Sequence, residues 1–274
     1  MTGLEDKGVK MQNKRITLTI HTCDKFSDIW DASLGLINKN WSDRDMRTIL
    51  VTDEKTEKTF DGIEVFSAGK STDMPMRTKR IISEIKTEYV FFTLDDYLII
   101  DKVDNEKINK LITIMDQYNI DYLVFGDGHK TKRLIDKEEQ IFELDLFSGE
   151  DYIVNLYPSI WRKSFMEKTL IKPQNIWDYE VSLTKIAQKE NAICCTAKGK
   201  QFTMMDTIRK GKFLHKSYKY LKQNNLYEGG REVISYWIEI KLFIMDTIRH
   251  NLPRPVVIIM KKIMKIFGYK FFSD

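Results

Sequence analysis

Asp95 and Asp96 close the run Tyr89-Val-Phe-Phe-Thr-Leu94, in which five of six residues are apolar and three are aromatic. Such a run reads as a strand buried on both faces. Successive strand side chains point to opposite faces, so two adjacent carboxylates cannot both continue a buried strand. They belong where the strand leaves the sheet, at its carboxyl end, which is where open α/β sheets bind ligands. Two hard oxygen ligands at such an edge suit a divalent cation, Mg2+ or Mn2+, that carries a phosphorylated substrate. Asp also begins ordinary turns, so the surrounding elements must decide.

Those elements alternate. Residues 15–21 are β-branched and alternating, a first strand that ends on Thr22-Cys23-Asp24. Residues 26–36 follow with helical spacing of Phe26, Ile29, Trp30, Ser33 and Leu34. Residues 47–53 form a second strand, again ending on a carboxylate, Asp53, and 63–66 a short third. Pro75 opens a helix to about 85 that carries Arg77, Lys79 and Arg80. This β-α-β-β-α-β order predicts a parallel or mixed sheet with helices on its faces. No Gly-x-Gly-x-x-Gly or Walker loop occurs, so phosphate must be held another way.

Further on, the spacing predicts a helix over 105–118 and a strand over 121–125, then an antiparallel, loop-rich section to 155 with a β-like run at 152–154. Helices follow over 161–170 and 178–190, with Trp177 just before the second, and a strand over 192–196. Asp178 at the start of a helix is a natural cap, which leaves Glu180 freer to project elsewhere. Either acid, beside aromatic residues that exclude water, could take a proton from an attacking hydroxyl. Trp161 and Trp177 could stack on the rings of a ligand, although buried tryptophans are as common. Three helical stretches close the chain near 213–223, 231–249 and 255–268.

The 274 residues, 42% hydrophobic and 31% charged, have an ordinary globular composition. The three cysteines, Cys23, Cys194 and Cys195, give neither a disulfide framework nor zinc spacing, and imply a reducing, cytoplasmic setting. The four scattered histidines argue against a histidine metal site. No signal peptide opens the chain and no run of roughly 18 apolar residues suggests a membrane span. Charge is unevenly placed: from Lys210 onward 13 Lys/Arg face 5 Asp/Glu, a net of +8 against +4 overall, leaving −4 for the first 209 residues. That asymmetry suggests an anionic partner for the C-terminal part, most simply a membrane surface, and no nucleic acid. In 255–268, Val256, Met260, Ile263 and Phe267 share one helical face and Lys261 and Lys265 another, which suits either a core helix or one lying in a membrane interface. The expected division is a flexible tail over 1–14, a catalytic domain over 15–205, and a basic helical region over 206–274 with possible attachment to a membrane surface.

With Thr22, Asp53, Arg77 and Leu94-Asp-Asp-Tyr97 in that order, the chain resembles the nucleotide-sugar glycosyltransferases of the GT-A fold. More narrowly it resembles bacterial enzymes that build capsular and other surface polysaccharides. The likeness covers about 15–222 and includes Tyr157-Pro-Ser-Ile-Trp-Arg162 and Asn175-Ile-Trp-Asp-Tyr-Glu180. Two departures stand out: the acidic motif is Asp95-Asp96-Tyr97 rather than Asp-any-Asp, and Cys23 occupies a position that is aromatic or polar in many relatives.

The resemblance implies a Rossmann-like mixed sheet flanked by helices, with a helical C-terminal extension. It implies a nucleotide-sugar donor, foremost a UDP-sugar, and transfer to a saccharide, foremost a lipid-linked one at the cytoplasmic membrane face. Asp96 would bind the metal, with Asp95 on the ribose or the metal's water shell. Thr22 and Asp53 would hold the base and ribose, and Arg77 the phosphates. Glu180 would serve as base in an inverting displacement, with Asp178 second. Two rivals remain. A nucleotidyltransferase would carry a Gly-rich basic loop after the first strand, whereas residues 22–27 hold no glycine and only Lys25. A non-catalytic assembly subunit is at odds with the intact acids Asp53, Asp95, Asp96 and Glu180.

Overall fold

The computed structural model describes residues 13–70, 72–126, 129–150, 152–199 and 201–251. Strands β1 (Asn13–His21), β2 (Met46–Thr52), β3 (Glu64–Ser67) and β4 (Tyr89–Leu94) are joined by a single 3-10 turn (Asp24–Phe26) and helices α1 (Trp30–Asn40) and α2 (Met74–Glu84). There follow β5 (Tyr97–Ile99), α3 (Asn105–Gln117), β6 (Tyr122–Val124), β7 (Thr131–Asp136), β8 (Ile141–Leu144), β9 (Ser159–Arg162), α4 (Lys163–Thr169) and α5 (Ile176–Lys189). The remainder is β10 (Cys194–Ala197), β11 (Met204–Asp206), β12 (Ile208–Arg209), β13 (Lys212–Phe213), α6 (His215–Gln223) and α7 (Tyr236–Asn251).

The main sheet has the strand order β3-β2-β1-β4-β9-β6-β10-β8-β7. β1, β2, β3 and β4 run parallel, as do β6 and β10, while β9 lies antiparallel between β4 and β6. The alternation of β4 divides its apolar run between two cores. Tyr89 and Phe91 pack with Trp30, Leu34 and Trp41 of the α1 layer and Ile108, Leu111 and Met115 of α3. Val90 and Phe92 pack on the other face with Ile81 and Ile82 of α2, Phe165 of α4 and Leu183 of α5. Each such side chain contributes about 1.5–3 kcal/mol on burial, which fixes the register and hence the position of each strand end.

A third cluster joins Ile29, just before α1, and Ala32 and Leu36 within it to Leu98, Met205, Ile208, Phe213, Leu221 and Tyr227. The division expected at 205–206 therefore falls within β11, which pairs with β5 through Met204↔Ile99, Met205↔Leu98 and Asp206↔Tyr97. The segment through Tyr227 shares a core with α1 rather than forming a separate helical region.

Other expectations also shift. Residues 161 and 162 end β9 rather than open a helix, because Ile160 and Trp161 fill opposite faces of the slot between β4 and β6. Residues 153 and 154 are buried but not a strand, and Tyr152 has a positive φ of 59°. Helix α5 begins two residues earlier than expected, since Asn175 caps it by accepting the Asp178 N–H at 2.9 Å. Residues 13 and 14 belong to β1 rather than to a tail. Residues 1–12 and the helix expected over 255–268 lie outside the described residues.

Candidate functional site

Parallel pairing puts the carboxyl ends of β2, β1 and β4 side by side. The registers His21↔Val51 and His21↔Leu94 set Thr22, Asp53 and the Asp95-Asp96 pair on one sheet edge. Neighbouring Asp residues part company there, in the turn between β4 and β5. Asp95 turns inward, 4% exposed, and accepts a hydrogen bond from the Thr22 hydroxyl. Thr22 in turn accepts from the Trp30 indole N–H at 2.7 Å. Burial, then the neighbouring Asp96 charge, pushes the Asp95 carboxyl well above its usual range. Asp95 and Thr22 thus brace each other beneath the edge.

Asp96 faces the other way. Its Oδ1 is buried and without a hydrogen-bond partner among the described residues. Burial, then the Asp206 charge, pushes its carboxyl up to about 7, against the opposing pull of Arg209 and Arg231. Asp206 arrives on β11, opposite Tyr97, and forms an ion pair with Arg209 at 2.5 Å. Burial also raises the Asp206 carboxyl. Sequence reasoning missed Asp206 and Arg209. The available signal was a short apolar run ending on a carboxylate, Met204-Met205-Asp206, the same pattern as Asp53 and Asp96 on a much shorter strand.

Asp53 anchors the other end of the edge. Its Oδ1 accepts from the backbone N–H groups of Asp24 at 2.7 Å and Glu54 at 3.0 Å. Its Oδ2 lies 3.8 Å from the Arg77 guanidinium. Burial opposes the Asp53 charge, yet these backbone donors and Arg77 outweigh it and hold the group below the usual carboxylate range. Arg77 is not part of a solvated basic face: its side chain is 11% exposed and it donates to the Thr72 carbonyl at 2.8 Å. Its Nε is a buried donor without a partner among the described residues. Cys23 lies within reach of both acids, and burial, then Asp53 and Asp95, raises its thiol. Behind the edge, His21 is 2% exposed and stacks on Phe92 at 4.5 Å. Burial, then Arg77, lowers its pKa to about 3, so it is neutral.

The acceptor-side candidates separate. Glu180 accepts from the Leu156 N–H at 3.1 Å, and the next residue, Tyr157, packs edge-on against Tyr97 at 4.8 Å. Glu180 thus braces the backbone that carries Tyr157 to the edge. Asp178 is exposed, and its Oδ2 accepts from the Asn175 amide at 2.6 Å, so it closes a cap instead of acting as one. Trp177 is 51% exposed in the first turn of α5. Trp161 is 1% exposed, donates to Ser159 at 2.8 Å, and packs on Tyr122 and Phe165. It is a core residue and cannot stack on an acceptor sugar, which corrects the expectation.

No three His, Cys, Asp or Glu side chains among the described residues are gathered to hold a metal ion. Two carboxylates share this end of the edge: Asp206, opposite Tyr97 on the paired strand, is the foremost charge acting on Asp96, whose Oδ1 has no hydrogen-bond partner among the described residues. That donor set of hard oxygens fits a divalent cation that takes its other ligands from phosphate and water.

No family model matches the chain, and no curated protein matches its sequence. Solved structures do match. S. aureus TarS superimposes with a TM-score of 0.50 at 14% identity, over 72% of this chain and 37% of TarS. The 1–349 fragment of TarS in complex with UDP-GlcNAc superimposes with a TM-score of 0.50 at 13% identity, over 89% of this chain and 69% of the fragment. The fold is GT-A-like. A cytidylyltransferase from Leptospira borgpetersenii matches with a TM-score of 0.45 at 16% identity, over 88% of this chain and 99% of that one. This chain thus spans little more than a third of the length of TarS.

Proposed function

We propose that the chain is a glycosyltransferase that moves a sugar from a nucleotide-sugar donor, foremost a UDP-sugar, to a saccharide acceptor. The observation that carries the reading is a sheet edge with a donor-shaped division of charge. Asp53 and Arg77 stand at one end, and Asp96, Asp206 and Arg209 at the other. The complex of TarS with UDP-GlcNAc on a shared fold supports a nucleotide sugar as the ligand of such an edge.

In this reading Asp53 accepts from the base or ribose, while Thr22 and Asp95 hold the floor beneath it. Arg77 and Arg209 present guanidinium groups to diphosphate oxygens, a match of planar donors to oxyanions. Asp96 and Asp206 would hold a divalent cation, Mn2+ or Mg2+, which would supply neutralising charge at the diphosphate leaving group. Glu180 takes the proton of the attacking hydroxyl, Asp178 being the second choice, and Trp177 offers an exposed ring for the acceptor sugar. Attack from the face opposite the diphosphate inverts the anomeric centre. The resemblance to capsular enzymes supports a lipid-linked saccharide of a bacterial surface polysaccharide as acceptor. The free thiols of Cys23, Cys194 and Cys195 suit the cytoplasm. A nucleotidyltransferase fits less well, because the turn after β1 directs its Asp24 N–H at Asp53 rather than forming a phosphate cradle.

Calorimetric titration of UDP with Mn2+ and then with EDTA tests this, on the native chain and on Asp96→Asn and Asp206→Asn. The expected result is cation-dependent binding that both substitutions weaken at least about tenfold, as loss of a ligand oxygen does. Binding that ignores EDTA removes the cation role. Absence of any nucleotide binding overturns the proposal.

A further inference from the structure

Helix α7 carries an apolar stripe that faces away from the body of the protein. Trp237 is 81% exposed, Ile240 47% and Ile244 50%. Their spacing of i, i+3 and i+7 puts them on one helical face. The first turn of α7 is fastened from a different side. Tyr236 stacks on His215 at 3.7 Å, and the His215 ring hydrogen-bonds Glu239. These contacts attach α7 to the start of α6 and leave the stripe outward.

Beside the stripe lies positive charge. Lys216, Lys219 and Lys222 are exposed on α6 at spacings of three. Lys216 lines an open cleft of ≈ 360 Å³ together with His215, Tyr236, Glu239 and Ile240, so the basic row adjoins the stripe. The chain from Lys210 onward has a net charge of +8 by sequence. An indole with exposed aliphatic neighbours and flanking lysines suits the boundary between headgroups and acyl chains. Among the described residues no helix is long and apolar enough to cross a membrane, so α7 would lie on a surface rather than span one.

We infer that α7 and α6 form a docking surface for an anionic phospholipid bilayer. Trp237, Ile240 and Ile244 enter the interface, and Lys216, Lys219 and Lys222 lie against headgroup phosphates. The inference stands apart from the proposed transfer reaction, since it needs neither donor nor cation.

Co-sedimentation of the full chain with vesicles tests it, using phosphatidylcholine alone and phosphatidylcholine mixed with phosphatidylglycerol. The native chain should bind the mixed vesicles, and Trp237→Glu/Ile244→Glu should bind them at least about tenfold more weakly. The charge reversal Lys216→Glu/Lys219→Glu/Lys222→Glu should lose a similar factor on mixed vesicles only. Because all five positions are exposed, an unchanged thermal midpoint serves as the folding control. Native-like binding by the Trp237→Glu/Ile244→Glu chain overturns the inference. So does a native dimer that this double substitution splits while vesicle binding persists, because the stripe then serves a second copy.

Discussion

The carboxyl of Asp96 should make the stability of the cation-free protein depend on pH in a defined direction. Its pKa is about 7 in the folded chain against an ordinary value of 3.8. The causes are burial first and Asp206 second. Below about pH 4 the group is protonated in both folded and unfolded chains, and its contribution is whole. As pH rises towards 7 the unfolded chain releases the proton while the folded chain still holds it, so stability falls. Above 7 both forms are ionised and the loss is complete. One pH unit between the two values corresponds to about 1.4 kcal/mol, so the ceiling is about 4 kcal/mol. Partial exposure of the side chain lowers the expected loss to about 2–3 kcal/mol.

Asp96→Asn retains the shape and removes the titration, and it also relieves Asp95 of the charge that helps to raise it. The assay is urea unfolding in EDTA, followed by tryptophan fluorescence, at intervals from about pH 5 to pH 8. His21 titrates in the opposite sense, but it is common to both proteins, so the difference between them reports Asp96 together with the relief of Asp95. The variant should gain about 1–2 kcal/mol relative to the native chain between those limits, because part of the loss is already complete at about pH 5. Parallel curves would refute the reasoning, because Asp96 would then ionise in the folded protein as it does in water.

His21, lowered to about 3 by burial and then by Arg77, has the reverse sign. Its contribution is complete above 6.5 and is lost as pH falls towards 3, so acid unfolding should be milder in His21→Gln by about 2 kcal/mol near pH 4.5 in the same urea assay. Arg231 donates to both oxygens of Asp28 and to the carbonyls of Lys25 and Gly211, while the Tyr227 hydroxyl also donates to Asp28. This clamp holds the turn whose Asp24 N–H reaches Asp53. Arg231→Met should cost about 2–3 kcal/mol in urea unfolding and weaken UDP binding. A double-mutant cycle with Asp28→Asn should show coupling above about 0.5 kcal/mol, and strict additivity would count against the clamp.

The parts of the fold legible in the sequence are those whose patterns are local. The alternation of β1 and the apolar run of β4 identify strands because each residue's environment follows from its neighbours two positions away. Asp95 and Asp96 could likewise be assigned to the carboxyl end of that strand before any geometry was known. β9 could not. Trp161, Phe165 and Thr169 have helical spacing, and only the slot between β4 and β6, built from residues about 40 to 70 positions earlier, makes Ser159–Arg162 a strand. The same limit put Trp161 among candidate acceptor contacts when its indole is a core group.

Asp206 shows why the site was harder to read than the fold. It reaches the edge through three residues of β11 paired with β5, a contact that the two short strands do not announce. Its effect is nonetheless large, since it is the foremost charge raising Asp96. Arg209 pairs with Asp206, whereas Asp96 Oδ1 has no partner among the described residues. A fold that brings a second carboxylate up to an already buried one gains nothing in stability by doing so, because both acids are raised and each resists ionisation. A cation held between them, as proposed above, would attract both carboxylates and offset their mutual repulsion. The strain at Asp96 and the proposed use of the site are thus two consequences of one placement, with β11 as the element that creates both.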